Sequence, residues 1–168
     1  MLIVEVSQIP KVEEIIDVPL DDLVAVYKVC QEMREVCEKE NGIGLSAVQV
    51  GIPWKLFLVK GDGTCPLVPE GEYGYFANTE YEATSEQQVV SLEGCLSIRS
   101  EDGQLRSFQV NRHEKINIKG LYLNNIENNF ICFEQELDVS EEGVVFAHEI
   151  DHQRGTLISE IGKEVFMW

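Results

Sequence analysis

Residues 138–155 read DVSEEGVVFAHEIDHQRG, and the core of that stretch, HEIDH at 148–152, sets two histidines four residues apart with an acid directly after the first. The run predicts a helix. Asp138 or Ser140 can cap it, Glu141 and Glu142 suit its first turn, and Gly155 can end it. On a helix, His148 and His152 lie one turn apart on one face, so both can bind one ion. Glu149 then points about 100° away from His148. That keeps it beside a metal rather than on it, where a base for a metal-bound water must sit. The chain holds only three histidines, and two are in this motif.

Around this helix the bulk numbers describe an ordinary folded chain. The 168 residues suggest one domain, and 44% hydrophobic content can build a core without disulfide staples. Thirteen basic against 30 acidic side chains give a net charge of -17, spread along the chain rather than gathered in a tail. Such a surface repels nucleic-acid backbones, so no direct nucleic-acid binding is expected. The five cysteines, Cys30, Cys37, Cys65, Cys95 and Cys132, are odd in number and show no paired spacing, which argues against a secreted disulfide framework. No apolar run approaches membrane-spanning length, and MLIVEVSQIP carries no basic leader pattern. A reducing cytosol is the expected compartment.

Pro19 to Gly42 reads as a further helix, with Leu20, Leu23, Val24, Tyr27, Cys30 and Cys37 on its buried face, Asp21 and Asp22 in its first turn and Gly42 after its end. WKLFLVK (54–60) reads as a buried strand and GDGTCP as a turn. Residues 61 to 89 read as loop-rich, with a short strand near Tyr75 to Tyr81 and an inert Cys65. KINIKGLYL (115–123) alternates as a strand, NNIEN turns, and NFICFEQEL (129–137) returns as its partner, with Cys132 assignable to either face. Helices among many short strands point to an α+β architecture.

A catalytic metal site takes three protein ligands plus water. The extended protease pattern H-E-x-x-H-x-x-G-x-x-H meets HEIDHQRGTLI here, so Ile158 stands where its third histidine belongs. Glu160 and Glu164 remain candidate downstream ligands for another protease class. Upstream, SLEGCLSIRS (91–100) offers Cys95, whose thiolate would complete a Cys-His-His set suited to zinc or ferrous iron. Gly-Cys-Leu is equally readable as a turn with a buried cysteine. A non-catalytic, closed four-ligand site using His113 or Cys132 is a third alternative.

Three motifs taken together resemble the peptide deformylase family. GIGLSAVQ (42–49), EGCLS (93–97) and HEIDH (148–152) match its G-x-G-x-A-A-x-Q, E-G-C-L-S and H-E-x-D-H in order. VNRHEKINI (110–118) also looks like the family segment with an arginine before a strand. The resemblance covers roughly residues 20 to 158. It implies one catalytic domain over 1–168, with antiparallel β-sheets packed around a central motif-bearing helix.

The resemblance also implies residue roles. Cys95, His148 and His152 would be metal ligands and Glu149 the general base and then acid, as metal-bound water attacks the formyl carbon of a nascent formyl-methionyl peptide and formate leaves. Gln49 and the backbone N–H of Leu96 would hold the oxyanion. Ile43, Gly44, Leu45, Gly94 and Val144 would bind substrate, and Asp151 with Arg112 would brace the ligands from behind. One divalent ion per chain is implied, Fe2+ natively, with Zn2+, Ni2+ or Co2+ as substitutes. A monomer without membrane attachment is expected, in a bacterial cytoplasm or in the host cell of a bacterial virus. Ser46 replaces the usual first alanine, NTEY (78–81) stands where Asn-Pro is frequent, and RSEDGQLRSFQ (99–109) is longer than in many members. The long C-terminal helix of some bacterial members is not expected after HQRG, where TLISEIGKEVFMW (156–168) follows.

Overall fold

The computed structural model describes residues 1–124 and 128–166. Helix α1 (Leu23–Lys39) precedes strands β1 (Gly44–Ser46), β2 (Leu56–Lys60), β3 (Tyr73–Ala83), β4 (Gln88–Arg99), β5 (Leu105–His113), β6 (Lys115–Asn124) and β7 (Asn129–Asp138). Helix α2 (Gly143–Gln153), the short α3 (Ile158–Ile161) and β8 (Lys163–Val165) follow. Five strands form one antiparallel sheet in the order β1-β2-β3-β6-β7, and three form a second in the order β4-β5-β8. The architecture is α+β, as the element pattern predicted.

The five-stranded sheet is apolar on both faces. Within β2, Leu56 and Leu58 point to one side and pack with Val26, Cys30, Met33 and Cys37 of α1. Phe57 and Val59 alternate to the other side and meet Phe146, Ala147 and Ile150 of α2. Phe76 of β3 centres this second cluster, stacked on Phe57 at 5.2 Å and edge-on to Phe146 at 4.8 Å. Every residue of α2 except Val144 and Val145 is buried. That explains a helix whose histidines and acids are buried: its apolar side packs on the five-stranded sheet, while His148, His152 and Asp151 meet Glu93 and Cys95 of β4 and Arg112 of β5.

Several expectations are corrected. Helix α1 is shorter than 19–42, because Asp22 is its cap, accepting from the Ala25 N–H at 3.1 Å. Val24 is 80% exposed; the buried stripe runs through Val26, Cys30, Met33 and Cys37 instead. Asn41, not Gly42, takes the left-handed conformation after the helix, at φ 54°. Helix α2 begins only at Gly143, with Glu142 before it, since Asp138 is still the end of β7 and spends its carboxylate on the Ser140 N–H. Gly155 does end α2, at φ 73°.

The stretch 61–89 is less loop-like than its composition suggests. Its expected short strand is the eleven-residue β3, with a register shift after Ala77 where Asn78 sits at φ 52°. Residues 99–109 are a hairpin turn and the start of β5. The expected turn NNIEN lies largely outside the described residues. Cys65 is buried, and burial pushes its thiol up to about 11, in keeping with an inert role. Cys132 is exposed.

Candidate active site

Strand β4 delivers the cysteine. Its register against β5 breaks between Gly94 and Arg99, so Cys95 and Leu96 are both buried where strict alternation would turn one outward. Gly-Cys-Leu is therefore an irregular strand segment rather than a turn. Cys95 Sγ lies 3.3 Å from His152 Nε2, and the donor atoms of Cys95, His148 and His152 all fall within 4.8 Å of one another. All three side chains are buried.

The partners behind these groups fix their orientation. His148 Nδ1 is 2.9 Å from Glu93 Oε2, which leaves Nε2 for an ion. Arg112 donates to both Glu93 oxygens, at 2.6 and 2.9 Å, and to Asp151 Oδ2 at 2.8 Å. The expected Asp151–Arg112 pair is present. Burial raises the Glu93 carboxyl, but Arg112 and His148 outweigh it and hold it down to about 2. Burial and the charge of His148 hold His152 well below the usual imidazole range. Burial also pulls His148 down, yet Cys95 and Glu93 on its two sides push it up to about 10.

Glu149 is 4% exposed, and among the described residues its Oε2 has no hydrogen-bond partner. Burial, against the pull of His148, pushes its carboxyl up to about 7. Gly44 sits directly against it: a Cβ there would lie 2.5 Å from Glu149 Oε1 and 2.8 Å from Val145 Cγ1. Gln49 is 1% exposed. Its Oε1 accepts the Ser46 N–H at 2.8 Å, which turns Nε2 toward Cys95 Sγ and Ser97 Oγ, both at 3.3 Å.

A cavity of about 330 Å³ opens above these groups. Ile43, Gly44, Gly94, Leu96 and Val144 line it together with Cys95, His148, Glu149 and Gln49. Leu105, from the 99–109 stretch, stands in the same wall. Leu45 is buried in the α1-side core instead, so of the expected substrate residues it alone does not face the cavity.

The donor set fits one divalent ion: a thiolate, two imidazoles with one braced by a carboxylate, and an open side toward the cavity. The alternative ligands are elsewhere. Glu160 accepts the Leu157 N–H, and Glu164 is held by Arg106. His113 bonds the Ser85 carbonyl, and Cys132 is exposed. Among the described residues, neither the protease reading nor the closed structural site has its extra ligand.

Sequence reasoning missed Glu93 and Tyr81. Glu93 lies two residues before Cys95, which on a strand is the same face, so its direction was readable although its partners were not. Tyr81 donates to Asp151 Oδ1 at 2.8 Å from 70 residues away, and no local pattern signals that.

Comparison with known proteins agrees with the geometry. The family model described as polypeptide deformylase matches residues 9–164. A peptide deformylase of Syntrophomonas wolfei is 34% identical over 133 residues, covering 79% of this chain and 74% of its own. One from Thermodesulfovibrio yellowstonii is 30% identical over an alignment of 179 residues, covering 99% and 95%. Among solved structures, a class I type b peptide deformylase from Acinetobacter baumannii superposes with a TM-score of 0.75 at 23% identity, covering 95% of this chain and 96% of that one. A probable peptide deformylase from Synechococcus phage S-SSM7 gives 0.73 at 24%, covering 95% and 97%. The family match and the two bacterial relatives establish that this chain belongs to the peptide deformylase family.

Proposed function

We propose that this chain, acting as one catalytic domain, removes the formyl group from formyl-methionyl nascent peptides, with Cys95, His148 and His152 holding one divalent ion and Glu149 moving the proton. The observation that carries this reading is the unpartnered buried oxygen of Glu149 beside the three-ligand cluster, at the floor of an open cavity. A structural metal site needs no such base. Fe2+ is the native ion in this reading, with Zn2+, Ni2+ or Co2+ as substitutes. A cytoplasmic monomer is part of the same proposal.

The ion, when bound, supplies Lewis acidity that brings a water's pKa toward about 7 and polarises the formyl oxygen. Glu149 takes a proton from the attacking water as the water oxygen bonds to the formyl carbon. Charge gathers on the formyl oxygen, within reach of the Gln49 amide and the Leu96 N–H. One such donor is worth about 2.7–4 kcal/mol in the transition state. Glu149 then returns the proton to the departing nitrogen, the C–N bond breaks, and formate and a free amine leave.

The substrate backbone has a place to pair. Among the described residues strand β1 pairs only with β2, so Gly44 presents an open edge to an extended peptide, with Ile43 before it. Val144 and Leu96 offer an apolar wall for the methionine side chain. In support, the Acinetobacter baumannii enzyme has been crystallised with Met-Ala-Ser bound, in a fold with TM-score 0.73 to this one.

Cys95→Ala tests the ligand assignment. Metal content after dialysis and formate release from formyl-Met-Ala-Ser should both fall at least about tenfold. Unchanged metal and turnover in that variant would remove Cys95 from the site.

A further inference from the structure

The braces behind the ligands carry unequal charge. One guanidinium, Arg112, serves two buried carboxylates. It gives two of its bonds to Glu93 and keeps one for Asp151 Oδ2. Asp151 Oδ1 needs another donor, because a buried carboxylate oxygen without one is costly. The Tyr81 hydroxyl fills that place at 2.8 Å. Arg154 then covers Tyr81: its guanidinium lies 4.3 Å above the ring centre, and its Nη2 donates to the Tyr81 carbonyl at 2.8 Å. Tyr81 belongs to β3 and Arg154 to the C-terminal end of α2, so the pair fastens the sheet to the last turn of the ligand-bearing helix.

We propose that Tyr81 is a positioning residue: its hydroxyl, steadied by Arg154, fixes Asp151 and, through Arg112 and Glu93, holds the His148 ring so that Nε2 faces the metal site. The inference rests on the reading of Cys95, His148 and His152 as ligands. A second cavity, of about 310 Å³, is lined by Tyr81, Arg112 and Asp151. The brace therefore borders open space, where the hydrogen bonds to Arg112 and Tyr81 hold Asp151. Burial, with the negative charge of Asp151, pushes Tyr81 up to about 12, so the hydroxyl keeps its proton and donates. The cation over the ring strengthens that donor. The chain is a relay of position, not of protons.

Tyr81→Phe keeps the ring and the Arg154 contact and removes only the donor. Zinc affinity, measured by competition with a chelator, should fall about tenfold, the lower end for groups that orient a ligand. The Nδ1–H proton resonance of His148 in the zinc-loaded protein should shift, and kcat should fall with KM for formyl-Met-Ala-Ser unchanged. Arg154→Met should lower zinc affinity in the same direction by less. A Tyr81→Phe protein with wild-type zinc affinity and an unshifted His148 resonance would overturn the proposal, whatever its melting temperature. Wild-type protein that binds zinc but releases no formate would sink the deformylase reading, while the zinc comparison would still decide the role of Tyr81.

Discussion

Glu149→Gln is expected to keep the metal and lose formate release by about 10²–10⁴-fold, the range for a positioned general acid–base group. The substitution preserves the size of a side chain that is buried against Gly44 and Val145. It leaves Cys95, His148 and His152 untouched, so metal content is the internal control. Glutamine cannot accept the proton of a water or return one to the leaving amine. Turnover within about threefold of wild type at equal metal content would show that another group moves the proton. The structure offers few rivals: Glu93 is bound to Arg112 and His148, and Asp151 to Arg112 and Tyr81.

Arg112→Leu is expected to cost about 3–5 kcal/mol of stability, because it strips the cation from two carboxylates whose side chains are 4% and 8% exposed. For a chain of this size that is a fall in melting temperature of about 6–20 °C. The same variant should weaken metal binding about 10–100-fold, since Glu93 would no longer be held against His148. Urea denaturation of the metal-free protein separates the two effects. A loss below about 1 kcal/mol would mean that solvent reaches Glu93 and Asp151 and that the brace is weaker than its burial implies.

The helix that carries the site was readable from residues 138–155, because the histidine pair fits a helical turn and Gly155 marks the end. Strand β2 was readable because LFLV is apolar throughout, and the structure buries it on both faces. The extent of β4 was not, because the irregular stretch at Cys95 and Leu96 breaks the alternation that would announce a strand. The face of α1 was misjudged at Val24 because apolar residues lie on both sides of its first turn, and only the packing chooses Val26. Cys95, His148, His152 and Glu149 stand in local motifs, and the structure brings them together. The brace behind them joins residues 19 to 70 positions apart. Arg112 and Asp151 were anticipated from the family resemblance, whereas Glu93 and Tyr81 become visible only when β3, β4 and β5 are placed around α2.

The decisive measurement is formate release from formyl-Met-Ala-Ser by anaerobically purified protein, with metal assayed on the same sample. Turnover is expected with about one metal per chain, abolished by a chelator and restored by adding Fe2+ or Zn2+. A protein that holds one metal per chain and releases no formate would contradict the proposed function.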